Sequence, residues 1–268
     1  MSGFYIGVDG VARKVKDAYI GVDGVARKIK KGYIGDANGI ARVVYSSGKK
    51  LSSCAVGTIV QLPENGTNVE YIVVHQGLPS SMYDESCNGT WLLRKNIYSK
   101  KAWDASPSNV YQTSDINKYL NNEFYNVLDE QARNAIKEVK IPYVNSTGVK
   151  NTVASGENGL TTKVFLLSGY EVGFTTSVEQ YFPVDGAKLD YFEDGDGTNA
   201  LNKRIALFNG TATNWWLRSP RTYDDEGSWA VMLNGNRITN TCNGSYGVRP
   251  ALILKSNTLL DPETNIIL

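Results

Sequence analysis

Histidine is almost absent from this chain: His75 is the one copy in 268 residues. A Ser-His-Asp or Cys-His mechanism would have to use it. It sits inside a strand pattern, YIVVHQG, where a hydrogen-bonded histidine on a strand face is the expectation. With one histidine, a metal site would rest mainly on carboxylates. Cysteine is scarce as well. Cys54, Cys87 and Cys242 form no CxxC, and an odd number leaves at least one unpaired in a monomer, so three reduced thiols and no structural zinc are expected. No apolar run reaches transmembrane length. No signal peptide is recognisable; Met1 leads straight into a repeat, which predicts synthesis in the cytoplasm and exit by lysis or as part of a particle. The sequons at Asn65, Asn88, Asn145, Asn209 and Asn243 therefore read as loop composition. A net charge of +1 gives no global pull toward nucleic acid.

What the chain does contain, at its start, is repetition. Tyr5 to Ala18, YIGVDGVARKVKDA, is nearly copied from Tyr19 to Gly32, and a looser third copy runs from Tyr33 to about Ser46. Each unit is centred on Asp9-Gly10, Asp23-Gly24 or Asn38-Gly39. Such pairs favour the type I′ turn, whose two central residues need positive φ. The flanks alternate β-branched or aromatic residues with others, so each unit is predicted to be one β-hairpin. Val8 then pairs with Val11 and Ile6 with Arg13, putting Ile6, Val8, Val11 and Val15 on one face. One hairpin buries too little to stand in water, so stacked copies are expected to complete each other's core, and chains to associate through the repeats. The third copy carries one extra residue and replaces two lysines by Val43 and Tyr45, as an end unit against another domain should. Residues 1–50 hold ten Lys or Arg against four Asp, a charge of +6 that leaves −5 for the rest. Edge-strand lysines that discourage aggregation explain this; nucleic-acid binding would call for interleaved stacking aromatics beyond the tyrosines.

The repeats make an all-β module over 1–48, and SSGKKLSS (46–53) reads as a linker to a domain over 49–268. Strands are predicted at 57–62, 69–77 and 89–98. A helix follows over TSDINKYLNNEFY, with Ser114 as N-cap and Ile116, Tyr119, Leu120 and Phe124 at helical spacing. A second helix is predicted over LDEQARNAIKEV, and KVFLLSGYEV reads as a strand followed by a short helix opened by a Ser168…Glu171 capping box. Short strands and loops fill the rest, an α+β pattern.

NWWLRSP (214–220), YGVRPALIL (246–254), YQTSDINKYLNNEF (111–124) and VFLLSGYEV (164–172) carry a resemblance. Together they resemble a family of uncharacterised bacterial and prophage proteins with a WWLRSP strand, a C-terminal GVRPAL strand and an S-x-I-x-x-x-LN helix, over roughly residues 55–255. That family is similar to the C-type-lectin-like fold, which includes formylglycine-generating enzymes and phage receptor-binding proteins. The N-terminal repeats resemble modules of phage structural proteins. The resemblance implies a C-type-lectin-like domain and a virion component. Trp215 and Trp216 are adjacent, so a strand points them to opposite sides. Arg218 and Arg249 read as structural arginines that hold loops.

The formylglycine-generating relatives use a cysteine pair near the C-terminal strands. Here Cys242 stands alone, so the activity is not carried over and no catalytic residue or cofactor is expected. YFEDGDGTNALNKR (191–204) fails the EF-hand pattern, with Phe192 and Lys203 at ligand positions. Asp190, Asp194 and Asp196 leave an irregular calcium site open beside a solvated acidic turn; no metal site is assigned. The EPN and QPD triplets of calcium-dependent sugar binding are absent. What remains is the segment RTYDDEGSWAVMLNGNRITNTCNGS (221–245), rich in residue types that suit recognition. The expected ligand contacts are Tyr223, Trp229, Asn234, Asn236, Arg237, Asn240 and Tyr246. Trp229 shares its strand face with Val231 and, by alternation, Leu233, so it is also a core candidate. The reading is a non-catalytic recognition protein that binds a host cell-surface protein or glycan. An enzyme of the formylglycine-generating group and a purely structural particle protein are the alternatives.

Overall fold

The computed structural model describes residues 5–8, 11–15, 18–29, 31–35, 41–46, 48–174 and 182–268. The repeats form three antiparallel strand pairs. Tyr19–Val22 pairs with Val25–Lys28, and Asp23 (φ 51°) and Gly24 (φ 75°) supply the two positive φ values a type I′ turn requires. Tyr5–Val8 and Val11–Lys14 share that register, Val8 facing Val11; Asp9-Gly10 lies outside the described residues. In the third pair, Lys31–Gly35 with Ala41–Ser46, the register differs from expectation. A two-residue Asn38-Gly39 turn would set Gly35 opposite Arg42, but Arg42 faces Ile34 and Gly35 faces Ala41. The extra residue slips the pairing by one; Asn38-Gly39 itself lies outside the described residues. The expected stacking is also corrected. Among the described residues each pair hydrogen-bonds only within itself, and Tyr19 to Ala26 are exposed on both faces.

The remainder is α+β, mostly strands in antiparallel sheets with few helices. Ten of its strands are β1 (Ile59–Glu64), β2 (Thr67–Gly77), β3 (Gly89–Arg94), β4 (Ser99–Ala102), β5 (Val164–Phe165), β6 (Trp215–Pro220), β7 (Gly227–Val231), β8 (Arg237–Thr241), β9 (Ser245–Val248) and β10 (Ala251–Leu254). One sheet has the order β5-β10-β3-β2-β1, the other β4-β9-β6-β7-β8. Only the β6–β9 contact, Trp215 beside Gly247, is parallel among these pairings. Trp91, Trp103, Trp215 and Trp216 are fully buried, and each large side chain removed from water favours folding by about 1.5–3 kcal/mol.

The expected linker is part of this domain. Lys49–Lys50 pairs with Leu259–Leu260, and Leu51 is fully buried. Gly48 is needed there because a Cβ would sit 2.7 Å from the Leu260 carbonyl oxygen. The first predicted helix is present over Asp115–Val127, capped by Ser114 Oγ, which accepts from the Asn117 N–H at 3.3 Å. Its middle, Leu120–Phe124, widens into a π turn. Asn121 explains why that turn is useful. Its amide donates to the Val164 carbonyl at 3.0 Å, and its carbonyl accepts from Thr162 Oγ1, Lys163 N and Val164 N. The second helix is shorter than predicted, Glu130–Ala135, because the Lys137 N–H donates to the Ile253 carbonyl of β10 and Val139 joins a strand.

Candidate functional site

Register divides the seven expected contact residues between two faces of the second sheet. Paired residues share a face. Trp229 faces Thr239 and Val231 faces Arg237, so these four lie on one side. Ala230 faces Ile238 and Ser228 faces Asn240 on the other side, where Ala230 also pairs with Trp216. Trp216 packs on Tyr246 with ring centroids 4.8 Å apart. Asn240 and Tyr246 therefore lie opposite Trp229 and Arg237. Trp229 is not a surface contact: it is 8% exposed and stacks on Phe182 at 4.1 Å. Leu233 does not follow the alternation and is exposed, because β7 ends at Val231 and a turn closes, with Gly235 N–H donating to the Met232 carbonyl.

One exposed cluster is assembled on the Arg237 side. Tyr223 is 58% exposed, the Arg221 guanidinium lies 5.1 Å from its ring centroid, and its hydroxyl is 3.5 Å from Thr239 Oγ1. Arg221 is pinned by Asp224 at 2.6 Å. Asp224 Oδ1 also accepts from the N–H groups of Glu226 and Gly227. Underneath, buried Asn109 places its amide within 3.2 Å of the carbonyls of Arg221, Asp224 and Gly227, while its own carbonyl accepts from Gly148 N–H. The loop carrying Tyr223 is thus held from both sides. Nearby, Arg237 donates to Asp196 at 2.9 Å. Asn234, exposed, accepts from Asn236 N–H in the turn. Asn236 and Asn240 turn their side-chain carbonyls onto the N–H groups of Arg237 and Thr241, satisfying donors of β8, the edge strand of its sheet.

Behind the face lies a buried polar cluster. Arg218 uses all five donors: Nε to the Pro142 carbonyl, Nη1 to the Leu166 carbonyl and Glu171, Nη2 to Glu171 and the Asp185 carbonyl. Ser168 and Glu171 realise the capping box reciprocally, at 2.9 and 3.2 Å, but they close a turn where a helix was expected, ended by Gly173 at φ 85°. Tyr83 donates to Glu171 at 2.7 Å, and Ser219 Oγ donates to the Asp185 carboxylate. Burial pushes the Asp185 carboxyl up to about 7, against the lowering pull of Arg218. Arg249 donates to the carbonyls of Arg94 and Lys95 and covers Trp215. Sequence reasoning identified Arg218, Arg249 and the capping box but missed Tyr83, Asn109 and Asp185. The capping-box spacing was the signal for Glu171; nothing local marks the other three.

His75 and the three cysteines are all buried. His75 Nδ1 lies 2.9 Å from Asp190 Oδ2, an ion-pair distance, yet neither ring nitrogen makes an aligned hydrogen bond. Cys54, Cys87 and Cys242 are buried and unbridged; burial pushes Cys87 and Cys242 each up to about 12. The acidic loop faces cations: Asp194 meets Lys188, Glu193 meets Lys203, and Asp196 meets Arg204 and Arg237. Among the described residues no three His, Cys, Asp or Glu side chains converge as a metal site. No described helix is long and apolar enough to cross a membrane.

Neither a curated protein nor a solved structure matches the chain. A family model does match, across residues 88–256, which spans the Trp91 strand, the Ser114-capped helix, the Arg218 cluster apart from Tyr83, and the edge strand of the Tyr223 face. The chain belongs to the family described as a domain of unknown function, DUF6273.

Proposed function

We propose that this is a non-catalytic recognition protein of phage or prophage origin, a virion component whose C-type-lectin-like domain presents a binding face to a host cell-surface protein or glycan. The observation that carries this reading is the preorganised Tyr223. It is a largely exposed aromatic ring, backed by Arg221 and Asp224, on a loop held by Asn109. Fixing such an anchor beforehand lowers the ordering cost of binding, and Tyr and Arg are enriched among residues that dominate interfaces. Tyr223, Asn234 and Arg237 are the contacts; the hairpin repeats attach the domain or associate copies of it. The thiols support a non-catalytic reading, because a group held near 12 is a poor nucleophile at neutral pH.

The test is binding of the full chain to candidate host cells. Tyr223→Ala and Arg237→Ala should each weaken binding at least tenfold, while Tyr246→Ala on the opposite face should not. Unchanged binding by the folded Tyr223 and Arg237 variants would place recognition elsewhere.

A further inference from the structure

A cleft that shares no residue with the Tyr223 cluster opens beside the seam of Lys49–Lys50 with Leu259–Leu260. Its volume is about 540 Å³, within the range of small-molecule sites, roughly 300–1,000 Å³. Lys50 and Leu259 of the seam line one side, and the helix Glu130–Ala135 lines another through Gln131, Asn134 and Ala135. The turn from Lys255 to Thr258 joins the two, closed by the Thr258 N–H on the Lys255 carbonyl at 2.9 Å. Each part is held to the next. The Lys255 N–H donates to the Ala135 carbonyl at 3.0 Å, the Leu51 N–H donates to the Thr258 carbonyl at 2.8 Å, and the Gln131 amide donates to the Ile267 carbonyl. The walls are therefore formed before any ligand arrives.

The charge of the lining has one sign. Lys50 and Lys255 line the cleft and no Asp or Glu does; even with a carboxylate on Leu268, which also lines it, the balance stays positive. Among the described residues neither ammonium has a carboxylate partner. Lys255 Nζ donates to the Asn134 carbonyl at 2.9 Å, which fixes that ammonium against the helix and leaves two of its three donors for a ligand. The Lys50 ammonium, the Asn134 amide and the Thr258 hydroxyl make no hydrogen bond among the described residues, so the cleft carries spare donors around its two cations. Ala135, Leu259 and Leu268 add apolar surface. A ligand that uses both features has a negative head and a hydrocarbon part. We propose that this cleft binds a small organic anion, a carboxylate or phosphate head on a short apolar chain.

The experiment titrates the full chain calorimetrically, at low ionic strength, with hexanoate, hexyl phosphate, hexanol and hexylammonium. At least one of the two anions should bind and raise the melting temperature, and added salt should weaken it; comparison of the two tells which head the cleft prefers. The alcohol and the ammonium should not bind. Lys50→Gln with Lys255→Gln should weaken anion binding at least tenfold. Lys50→Gln alone removes no side-chain bond of the fold and should weaken it at least threefold. Asn257 is exposed in the turn that lines the cleft, so Asn257→Trp fills the site without entering the core and should also weaken binding at least tenfold. Tyr223→Ala should bind the anion normally, whatever it does to cell binding, which keeps this inference separate from the recognition reading. Binding of neither anion, equal binding of hexanol or hexylammonium, or undiminished binding by Lys50→Gln or Asn257→Trp would overturn the proposal.

Discussion

Arg218 and Glu171 form a bidentate ion pair, at 2.6 and 2.7 Å, in which neither side chain has any contact with solvent. Removing one partner leaves the other charge buried alone, which costs about 3–5 kcal/mol. Arg218→Met and Glu171→Met should each lose stability of that order in urea denaturation. The double variant should lose less than the two combined, by about 2 kcal/mol or more. It should still fall below wild type, because the carbonyls of Pro142, Leu166 and Asp185 lose a donor.

Asp185 gives the domain a pH dependence of definite sign. Its carboxyl is held up to about 7 in the fold against 3.8 for an unperturbed Asp. Between those values the folded state keeps a proton that the unfolded chain has released. Stability therefore falls as pH rises through this window and levels off above it. The slope is about 1.4 kcal/mol per unit at its steepest. Asp185→Asn should flatten the difference between pH 4.5 and pH 8, measured as the gap in unfolding free energy between variant and wild type. An unchanged pH profile would mean the carboxylate is charged throughout.

The thiols should be silent in the native protein. Cys87 and Cys242 titrate near 12, and the Cys54 thiol is also raised by burial. Labelling with a disulfide reagent at pH 8 should be slow when folded and rapid in denaturant, with Cys54, the least deeply buried, reacting first. Fast native labelling of Cys242 would reopen a role for it as a nucleophile.

Two glycines separate strain from space. Gly235 has φ +83°, and a Cβ there would sit 2.1 Å from the Leu201 carbonyl oxygen. Gly24 has φ +75° and an open surround. Gly235→Ala should cost about 3 kcal/mol or more through combined strain and collision. Gly24→Ala should cost about 1–2 kcal/mol, confined to its hairpin. Thermal melts of the whole chain should register the first and barely register the second.

Local pattern made the local elements legible. Asp23-Gly24 dictated its turn, and Ser114 marked the start of its helix. The Trp-Trp step placed two rings on opposite faces, and both are buried. What sequence did not yield was set by partners distant in the chain. SSGKKLSS has linker composition, but β-pairing to Leu259–Leu260 overrides it. The Ser168…Glu171 box forms as its spacing predicts, but the chain stops at one turn, ended by Gly173 at positive φ. For the candidate face, residue types marked Tyr223 and Arg237. Alternation along one strand already sends Asn240 opposite Arg237, but nothing in the residue types shows that Phe182 covers Trp229. Asn109, which holds the Tyr223 loop, is one asparagine among many until the fold brings it under that loop.

The self-contained pairing of the hairpins bears on how the chain can change in length. Each strand finds its partner within the same hairpin, as Tyr5 does in Lys14, Tyr19 in Lys28 and Lys31 in Ser46. Deleting or duplicating one fourteen-residue period breaks no hydrogen-bond ladder in its neighbours and leaves the Lys49–Leu260 seam of the domain intact. The number of repeats can therefore change in whole steps while the pairing of the following domain stays the same.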